Sequence, residues 1–264
     1  SGTHDAASAA QSDGSHVLLH FGQDAMRTLW VLTALLILSG CGRYFPGPLL
    51  PMAEQDPQMS VNDDGSITYT QDRLELILQP MTDAQLNRQF ATESSQDAAS
   101  TNPYTFGDWQ PLGAGVTPQR FTVFRLTVRN YQYPKVMVDP SKVSIVTSNN
   151  RRYQVMDYRQ LDEYFRAYWL GRTGQGRENF EARTDLLRRT LYSGDPVFSG
   201  QESDGYVVFP RLDDDVTGLQ VTIPEIAVRF NYAGQPVEAL DITFSYSREV
   251  FRGFQPPVEL ARER

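Results

Sequence analysis

Residues 219–246 read LQVTIPEIAVRFNYAGQPVEALDITFSY. Apolar and polar side chains alternate through Leu219–Ile223 and again from Leu240 onward, and the largely apolar segment Ile226–Tyr232 lies between them. Because successive side chains of a β-strand point to opposite faces, this period predicts strands that each bury one face. Ala233-Gly234 is a turn signal. The stretch therefore predicts antiparallel strands of a β domain.

The same alternation recurs through the rest of the chain. Phe124, Leu126 and Val128 alternate with polar residues, which is the pattern of a half-buried strand. Further strands are predicted around Ile67–Tyr69, Leu74–Leu78, Val143–Thr147 and Tyr206–Phe209. Eight or nine short strands separated by turns favour a sandwich over an alternating βαβ fold.

One part of this pattern resembles a known fold family. The run GYVVFP at residues 205–210, followed by the strands around Ile226 and Ile242, resembles the late strands of the immunoglobulin-like domains that are common in envelope lipoproteins. The resemblance concerns the fold alone and assigns no site. It implies a mainly β chain, an immunoglobulin-like β-sandwich, with a two-helix insert at residues 157–192.

The insert shows a helical period between the two groups of strands. Apolar and aromatic side chains recur there at helical spacing, at Tyr158, Leu161, Phe165, Tyr168 and Trp169. Asp157, three residues before Gln160, matches a capping box at the start of the first helix, and a second helix follows. Thr82 and Gln85 form the same signature upstream and predict a short helix there.

Residues 26–41 have the features of an export signal. Arg27 precedes the apolar run Leu29–Leu38, and the small residues Ser39-Gly40 stand before Cys41. The sequence Leu38-Ser39-Gly40-Cys41 resembles the lipobox of bacterial lipoproteins, which implies that Cys41 is lipidated and becomes the new N-terminus. A buried helix or an uncleaved anchor is the alternative, but the run is shorter than the roughly 20 residues that span a bilayer. By family analogy, Gly42 favours the outer membrane if the cell has two membranes.

These signals divide the chain into segments. We expect a non-native or disordered leader at 1–25 with Met26 as the true start, a lipoprotein signal peptide at 26–40, and a proline-rich tether at 41–65. The β-sandwich domain with its insert follows at 66–250, and a C-terminal tail at 251–264. Four prolines in 42–65 would stiffen and extend the tether.

The positions of histidine and cysteine limit the chemistry. All three histidines, at positions 4, 16 and 20, lie before the predicted cleavage site, and Cys41 is the only cysteine. The mature domain would then lack the residues of Ser-His-Asp and Cys-His catalysis and the usual ligands of zinc, copper and haem. We therefore predict no enzyme activity, no cofactor and no metal.

The sequence is still compatible with a metal site or a catalytic site that uses only carboxylates. The acidic clusters 62–65 and 213–215 supply oxygen ligands of the kind that calcium prefers, but neither has the spacing of an EF-hand loop. A glycoside hydrolase would need two facing carboxyl groups in a cleft, which the sequence does not nominate. Solvated turns between strands are the alternative, and we favour it.

The charge pattern points to the insert as a contact surface. From Cys41 onward the chain has 23 Lys and Arg against 29 Asp and Glu, so nucleic acid is not an expected partner. Segment 151–192 differs, because it holds nine arginines and six acids. Arginine interleaved with aromatic residues is typical of protein interfaces. The candidate partner surface is Trp109, Arg159, Arg166, Tyr168, Trp169, Arg188 and Arg189.

Other interpretations of the insert and of the whole chain remain. The arginines would also suit anionic lipid headgroups or acidic glycans, or they are solvated or paired on a hairpin that packs on the sandwich. We predict a non-catalytic scaffold or docking lipoprotein of the cell envelope, held on the membrane by Cys41 and bound to an envelope protein. The alternatives are a glycan- or peptidoglycan-binding module that uses exposed aromatics, and a carboxylate-dependent hydrolase.

Overall fold

The computed structural model describes residues 42–95, 99–111, 117–170 and 176–257, and it leaves out the side chains of 168–170 and 176. Cys41 and the segments predicted as signal peptide and leader lie outside these residues. The described chain divides into two compact units. One comprises residues 44–251 and 255–257, and the other comprises 42–43 and 252–254. The sandwich core and the candidate sites lie in the first unit.

Two five-stranded antiparallel sheets form the framework of the described residues. The strands are β1 (Arg43–Pro46), β2 (Leu50–Pro51), β3 (Met59–Val61), β4 (Ile67–Gln71), β5 (Leu74–Met81), β6 (Phe121–Asn130), β7 (Lys135–Val136), β8 (Ser144–Thr147), β9 (Arg152–Gln154), β10 (Val197–Phe198), β11 (Gln201–Pro210), β12 (Gly218–Phe230), β13 (Pro236–Ser247) and β14 (Val250–Gly253). Sheet I has the order β11-β6-β5-β4-β3, and sheet II has the order β2-β13-β12-β8-β9. β1 pairs with β14, and β7 with β10, in two small sheets.

The sandwich core fills the space between sheets I and II. Leu76 and Phe124 of sheet I and Val221 and Phe244 of sheet II are fully buried in one cluster. Tyr246 of β13 joins the two sheets, because its hydroxyl donates a hydrogen bond of 2.7 Å to the carbonyl oxygen of Leu78 in β5. The strands predicted from alternation therefore form, and their apolar faces meet as the sequence indicates.

The strand order is that of an immunoglobulin variable-type domain. β5, β6 and β11 occupy the places of strands A, B and E, and β13, β12, β8 and β9 follow the order G-F-C-C′ in the opposite sheet. Between β9 and β11, where variable domains place C″ and D, the chain carries the two-helix insert. The predicted mainly β, immunoglobulin-like sandwich with a two-helix insert is confirmed.

Helices cover the outer face of sheet I. They are α1 (Asp83–Gln89), α2 (Ala91–Ser94), α3 (Tyr158–Leu170) and α4 (Gly176–Thr190). Both predicted capping boxes are present: Thr82 and Gln85 bond reciprocally before α1, and Asp157 and Gln160 do so before α3 at 2.8 and 2.9 Å. Within the described part of the chain, no helix is long and apolar enough to cross a membrane.

The outer face of sheet I and the helices share a second apolar core. Successive side chains of β6 and β11 point to opposite faces, so Phe124 and Val207 enter the sandwich core while Val123 and Val208 enter the second core. Leu161 and Leu187 of the insert are fully buried there. Sheet I is therefore buried on both faces near the insert, and the insert is part of the fold.

The segment predicted as a tether differs from expectation. Residues 42–65 contribute β1, β2 and β3, and β2 and β3 extend the two large sheets at their edges. Pro51 is tolerated in β2 because an edge strand leaves one row of backbone groups unpaired. The side-chain amide of Gln55 continues the pairing, since it donates to the carbonyl of Ser245 at 2.7 Å and accepts from its N–H at 3.1 Å. Likewise, β14 occupies the beginning of the predicted tail.

Candidate functional site

The arginines of the insert fall into distinct environments. Arg166 pairs with Asp162 at 2.8 Å and Arg189 pairs with Asp185 at 3.2 Å, each one helical turn away. Arg183 is buried, where it bonds the carbonyl of Ser100. Much of the positive charge that the sequence places in this segment is therefore compensated or buried.

Arg159 and Arg188 differ from the other candidate residues. Both are exposed, and neither has a carboxylate partner in the part of the chain that the structure describes. The guanidinium carbon of Arg188 lies 5.1 Å from the centroid of the Tyr158 ring, in a cation–π contact. Because Tyr158 begins α3 and Arg188 lies near the end of α4, the contact joins the open ends of the helical hairpin.

The remaining candidate residues lie elsewhere or cannot be placed. Trp109 is half-buried and packs against Phe106, with ring centroids 5.8 Å apart, in the loop 99–111. Tyr168 and Trp169 lie in the last turn of α3, and their side chains are outside the described residues. Among the described residues, no contact joins Trp109 to Arg188, and the proposed surface stays a prediction.

A cavity of about 330 Å³ opens where the helical hairpin meets the sheets, and we call it the insert cleft. Its lining includes Val155, Met156, Tyr158, Leu187, Arg188 and Tyr206. The 3₁₀ turn Pro140–Lys142 borders it on the other side. This volume is near the lower end of the roughly 300–1,000 Å³ found for small-molecule pockets, so it suits a side chain or a short segment of a partner.

Buried tyrosines line the inner part of the insert cleft. Burial raises the pKa of Tyr206 to about 12 and that of Tyr192 to about 12, so both hydroxyls are neutral at physiological pH. Tyr206 donates a hydrogen bond to the side-chain oxygen of Gln89 at 2.5 Å. The Tyr158 hydroxyl is buried and has no hydrogen-bond partner among the described residues. The cleft thus has an apolar floor, the neutral hydroxyl of Tyr206 beneath that floor, and the guanidinium of Arg188 at its rim.

Asp157 is the carboxylate that approaches the cleft from α3. It lines the cavity, but its oxygen accepts the N–H of Gln160 at 2.8 Å as the helix cap. We find Asp157 in a structural role, which leaves Arg188 as the charged group that faces an incoming ligand.

The acidic cluster 213–215 is a paired surface turn. Arg151 contacts Asp213 at 2.9 Å and binds both oxygens of Asp215, and the Tyr153 hydroxyl donates to Asp213 at 2.7 Å. The hydrogen bond from Arg151 lowers the pKa of Asp215. Asp213 is therefore engaged by a guanidinium and a phenol, Asp215 by the same guanidinium, and Asp214 by Arg211.

The second acidic cluster, 62–65, is closed by its own hydrogen bonds. Asp64 accepts from the N–H and the hydroxyl of Ser66 at 3.0 and 2.6 Å, which lowers the pKa of Asp64. Asn62 donates to Ser66 and Thr68 at 2.8 Å each. Across residues 42–257, as far as they are described, no group of three or more metal-ligating side chains is arranged to hold an ion.

A larger cavity of about 450 Å³ lies beside the N-terminus of α1. Part of its polar lining is used by the chain: Thr82 and Gln85 form the capping box, and Arg248 donates to the carbonyl oxygens of Val216 and Asp213 at 2.7 and 2.6 Å. We regard the insert cleft as the stronger candidate, since its rim cation Arg188 is stacked on Tyr158, whose buried hydroxyl has no hydrogen-bond partner among the described residues.

Sequence reasoning missed most of the cleft. Val155, Met156 and Tyr206 are ordinary core or loop residues by pattern, and only the fold brings them beside α4. A partial signal was the spacing of the arginines, because Arg166, Arg177 and Arg189 each have an acid four residues earlier or later while Arg188 has none. The spacing does not identify Arg159, which has Glu163 four residues later but no ion pair among the described residues.

Comparison with known proteins adds little. No protein-family model and no curated protein matches the chain. Among solved structures, it is similar to MPT63, a secreted protein from Mycobacterium tuberculosis, at 13% identity and a TM-score of 0.27, over 59% of this chain and 82% of that chain. A likeness at this level carries no argument about function.

Proposed function

We propose that this chain is a lipid-anchored, non-catalytic docking module of the cell envelope that holds a partner protein at the insert cleft. The observation that carries the docking proposal is the apolar cleft with Arg188 at its rim, stacked on Tyr158. Binding energy at protein interfaces concentrates in aromatic and arginine residues around a desolvated pocket. The partner then presents an apolar side chain next to a carboxylate.

Several features support a binding role over catalysis. From residue 42 onward the sequence contains no histidine and no cysteine. Asp213 and Asp215 contact Arg151, Asp64 accepts from Ser66, and burial raises the pKa of Tyr206 to about 12.

The anchor proposal predicts that Cys41→Ser releases the protein from the membrane. Each buried acyl CH₂ contributes about 0.8 kcal/mol, so two or three chains hold a protein stably, and an unmodified serine holds none. Fractionation and intact-mass measurement check this: wild-type protein should begin at an acylated Cys41 and stay with membranes, on the outer membrane if there are two. An unmodified wild-type chain that begins at Met26 contradicts the proposal.

The docking proposal predicts that Arg188→Glu loses the partner. Reversing the rim charge would repel the expected carboxylate, so crosslinking of the lipidated chain in native membranes should capture the partner at least about tenfold less. Arg189→Glu is the matched control, because Arg189 is adjacent in α4 but pairs with Asp185. Partner capture is quantified by mass spectrometry for wild type and both variants.

The outcomes of this experiment are distinct. Loss with Arg188→Glu and retention with Arg189→Glu supports docking at the insert cleft. Equal capture by both variants means that the docking surface lies elsewhere, and the proposal fails. Point variants are preferable to removal of 157–192, since removal would uncover the second core on the outer face of sheet I.

A further inference from the structure

Very little chain separates Cys41 from the sandwich. Had residues 42–65 formed an extended tether, they would lift the domain by up to about 75 Å, at about 3.1 Å per residue. Instead β1 begins at Arg43, and the larger compact unit begins at Tyr44. Only Gly42 and Arg43 therefore lie between Cys41 and that unit.

The covalent chain limits the distance between Tyr44 and the proposed lipid anchor. Cys41 lies outside the described residues, but its Cα atom is three peptide steps from that of Tyr44. Because consecutive Cα atoms are about 3.8 Å apart, the two Cα atoms are separated by at most about 11 Å in any conformation. The headgroup layer on each side of a bilayer is about 5–8 Å thick. A lipidated Cys41 therefore holds Tyr44 within this layer or directly above it.

The chain that follows Tyr44 runs along one end of the sandwich. Leu50 is the strand partner of Ser247, the last residue of β13, and the N–H of Met52 donates to the carbonyl of Ser245 at 3.0 Å. We call residues 44–53 the anchor-side rim. The rim belongs to the larger unit and is fixed beside the end of β13.

The anchor-side rim has no formal charge and exposes apolar side chains. No Asp, Glu, Lys or Arg occurs from Tyr44 to Ala53. Tyr44 is 42% exposed, Leu50 is 55% exposed and Met52 is 40% exposed. Exposed apolar residues are ordinary on a protein surface, so exposure alone assigns no ligand. What distinguishes this rim from other exposed apolar residues is its short covalent link to the cysteine that carries the proposed anchor.

We infer that the anchor-side rim rests in the headgroup layer of the membrane, so that the domain lies directly on the bilayer. The inference rests on the proposed lipidation of Cys41. Tyrosine is enriched at membrane interfaces because it combines an apolar ring with a polar hydroxyl, which suits Tyr44 at this depth. Leu50 and Met52 would lose contact with water there. The absence of charged side chains from the rim also avoids the cost of bringing ions next to acyl chains.

The position of the single cysteine allows this inference to be tested on the full lipidated chain. Cys41 is the only cysteine, and its sulfur is blocked once it is lipidated, so an introduced cysteine is the only reactive thiol. A fluorescent label is attached to Leu50→Cys or, as the matched control, to Val237→Cys. Val237 is 63% exposed and lies near the other end of β13. The ten residues from Val237 to Ser247 span about 33 Å.

The labelled chains are reconstituted in phosphatidylcholine vesicles in which part of the lipid carries a nitroxide quencher where the headgroup meets the acyl chain. We expect the label at Leu50→Cys to lose most of its fluorescence and the label at Val237→Cys to keep it. Intact mass verifies the acyl chains, and thermal unfolding verifies that each variant is folded.

A carboxylate added to the rim separates membrane contact from mere proximity to the anchor. Met52→Glu in the Leu50→Cys chain should reduce the quenching, because an ionised carboxyl group is costly to bring against the acyl chains. Val237→Glu in the same chain is the matched control and should leave the quenching unchanged.

The outcomes distinguish this inference from the anchor proposal. Quenching at Leu50→Cys alone, reduced by Met52→Glu, supports the inference. Equal quenching at both labels, no quenching at Leu50→Cys in an acylated chain, or quenching that Met52→Glu does not reduce each overturns it and leaves the anchor proposal standing. A chain from native membranes that carries no acyl group overturns both.

Discussion

Replacing Gly205 with alanine is expected to destabilise the protein by about 2–4 kcal/mol. An added Cβ at Gly205 would lie 2.5 Å from the backbone N and Cα atoms of Tyr192, which no real contact tolerates. Overpacking of this kind typically costs about 1–3 kcal/mol, and displacing the segment also breaks the hydrogen bond of 3.0 Å from the Tyr192 N–H to the Tyr206 carbonyl, worth about 1 kcal/mol. The chain leaving α4 would have to move off β11.

A second strand glycine provides the control. Gly218 lies in β12, and a Cβ there would meet Ser148 at 3.7 Å, an ordinary contact. By strand propensity alone both substitutions should stabilise slightly, because glycine loses the most backbone entropy on folding. Urea unfolding of Gly205→Ala and Gly218→Ala measures the difference. Equal stability of the two variants would show that the exit of the insert adjusts freely to β11.

The sequence predicts the sheets and the helix starts because those signals are local. Alternation in β5, β6 and β13 assigns the core face of each strand, and the two capping boxes place the starts of α1 and α3. The sandwich follows from the number of such strands. These features need only neighbours within about four residues, which is the range over which side-chain spacing and caps act.

The edge strands β2 and β3 and the pairing of the arginines depend on contacts between residues that are far apart in the sequence. Proline content suggested a tether at 42–65, yet β2 and β3 form because the edges of two sheets were available to pair with them. Composition gave the insert a positive charge, but Arg183 is buried against Ser100 and Arg151 lies across the acidic turn 213–215. Counting charges cannot show which are buried or paired, because pairing partners lie up to 83 residues away.

Raising the pH above 10 is expected to unfold the protein steeply, because four buried tyrosines resist ionisation in the folded state. Tyr104 and Tyr246 are fully buried, and Tyr192 and Tyr206 nearly so. Desolvation raises the pKa of each, to about 12 for Tyr192 and Tyr206 and further for the other two. In the unfolded chain, tyrosine titrates near pH 10.

The direction in which pH changes the free energy of unfolding follows from proton binding. Above pH 10 the unfolded state releases tyrosine protons that the folded state retains, so the free energy of unfolding falls as pH rises. The stabilisation that these four tyrosines contribute is fully present below pH 10. It is lost as the pH rises from 10 towards their pKa values in the folded state. Each tyrosine contributes up to about 1.4 kcal/mol per pH unit, or about 5 kcal/mol per unit for all four, which is a large fraction of the stability of a typical domain.

Chemical denaturation at intervals between pH 8 and 12 measures this slope. Tyr246→Phe should reduce it by about a quarter, since one titrating group is removed, and should cost about 1 kcal/mol at neutral pH through the lost hydrogen bond to Leu78. A free energy of unfolding that stays level to pH 12 would mean that the interior admits ionised phenols, and the tightly packed cores described for both faces of sheet I would be wrong.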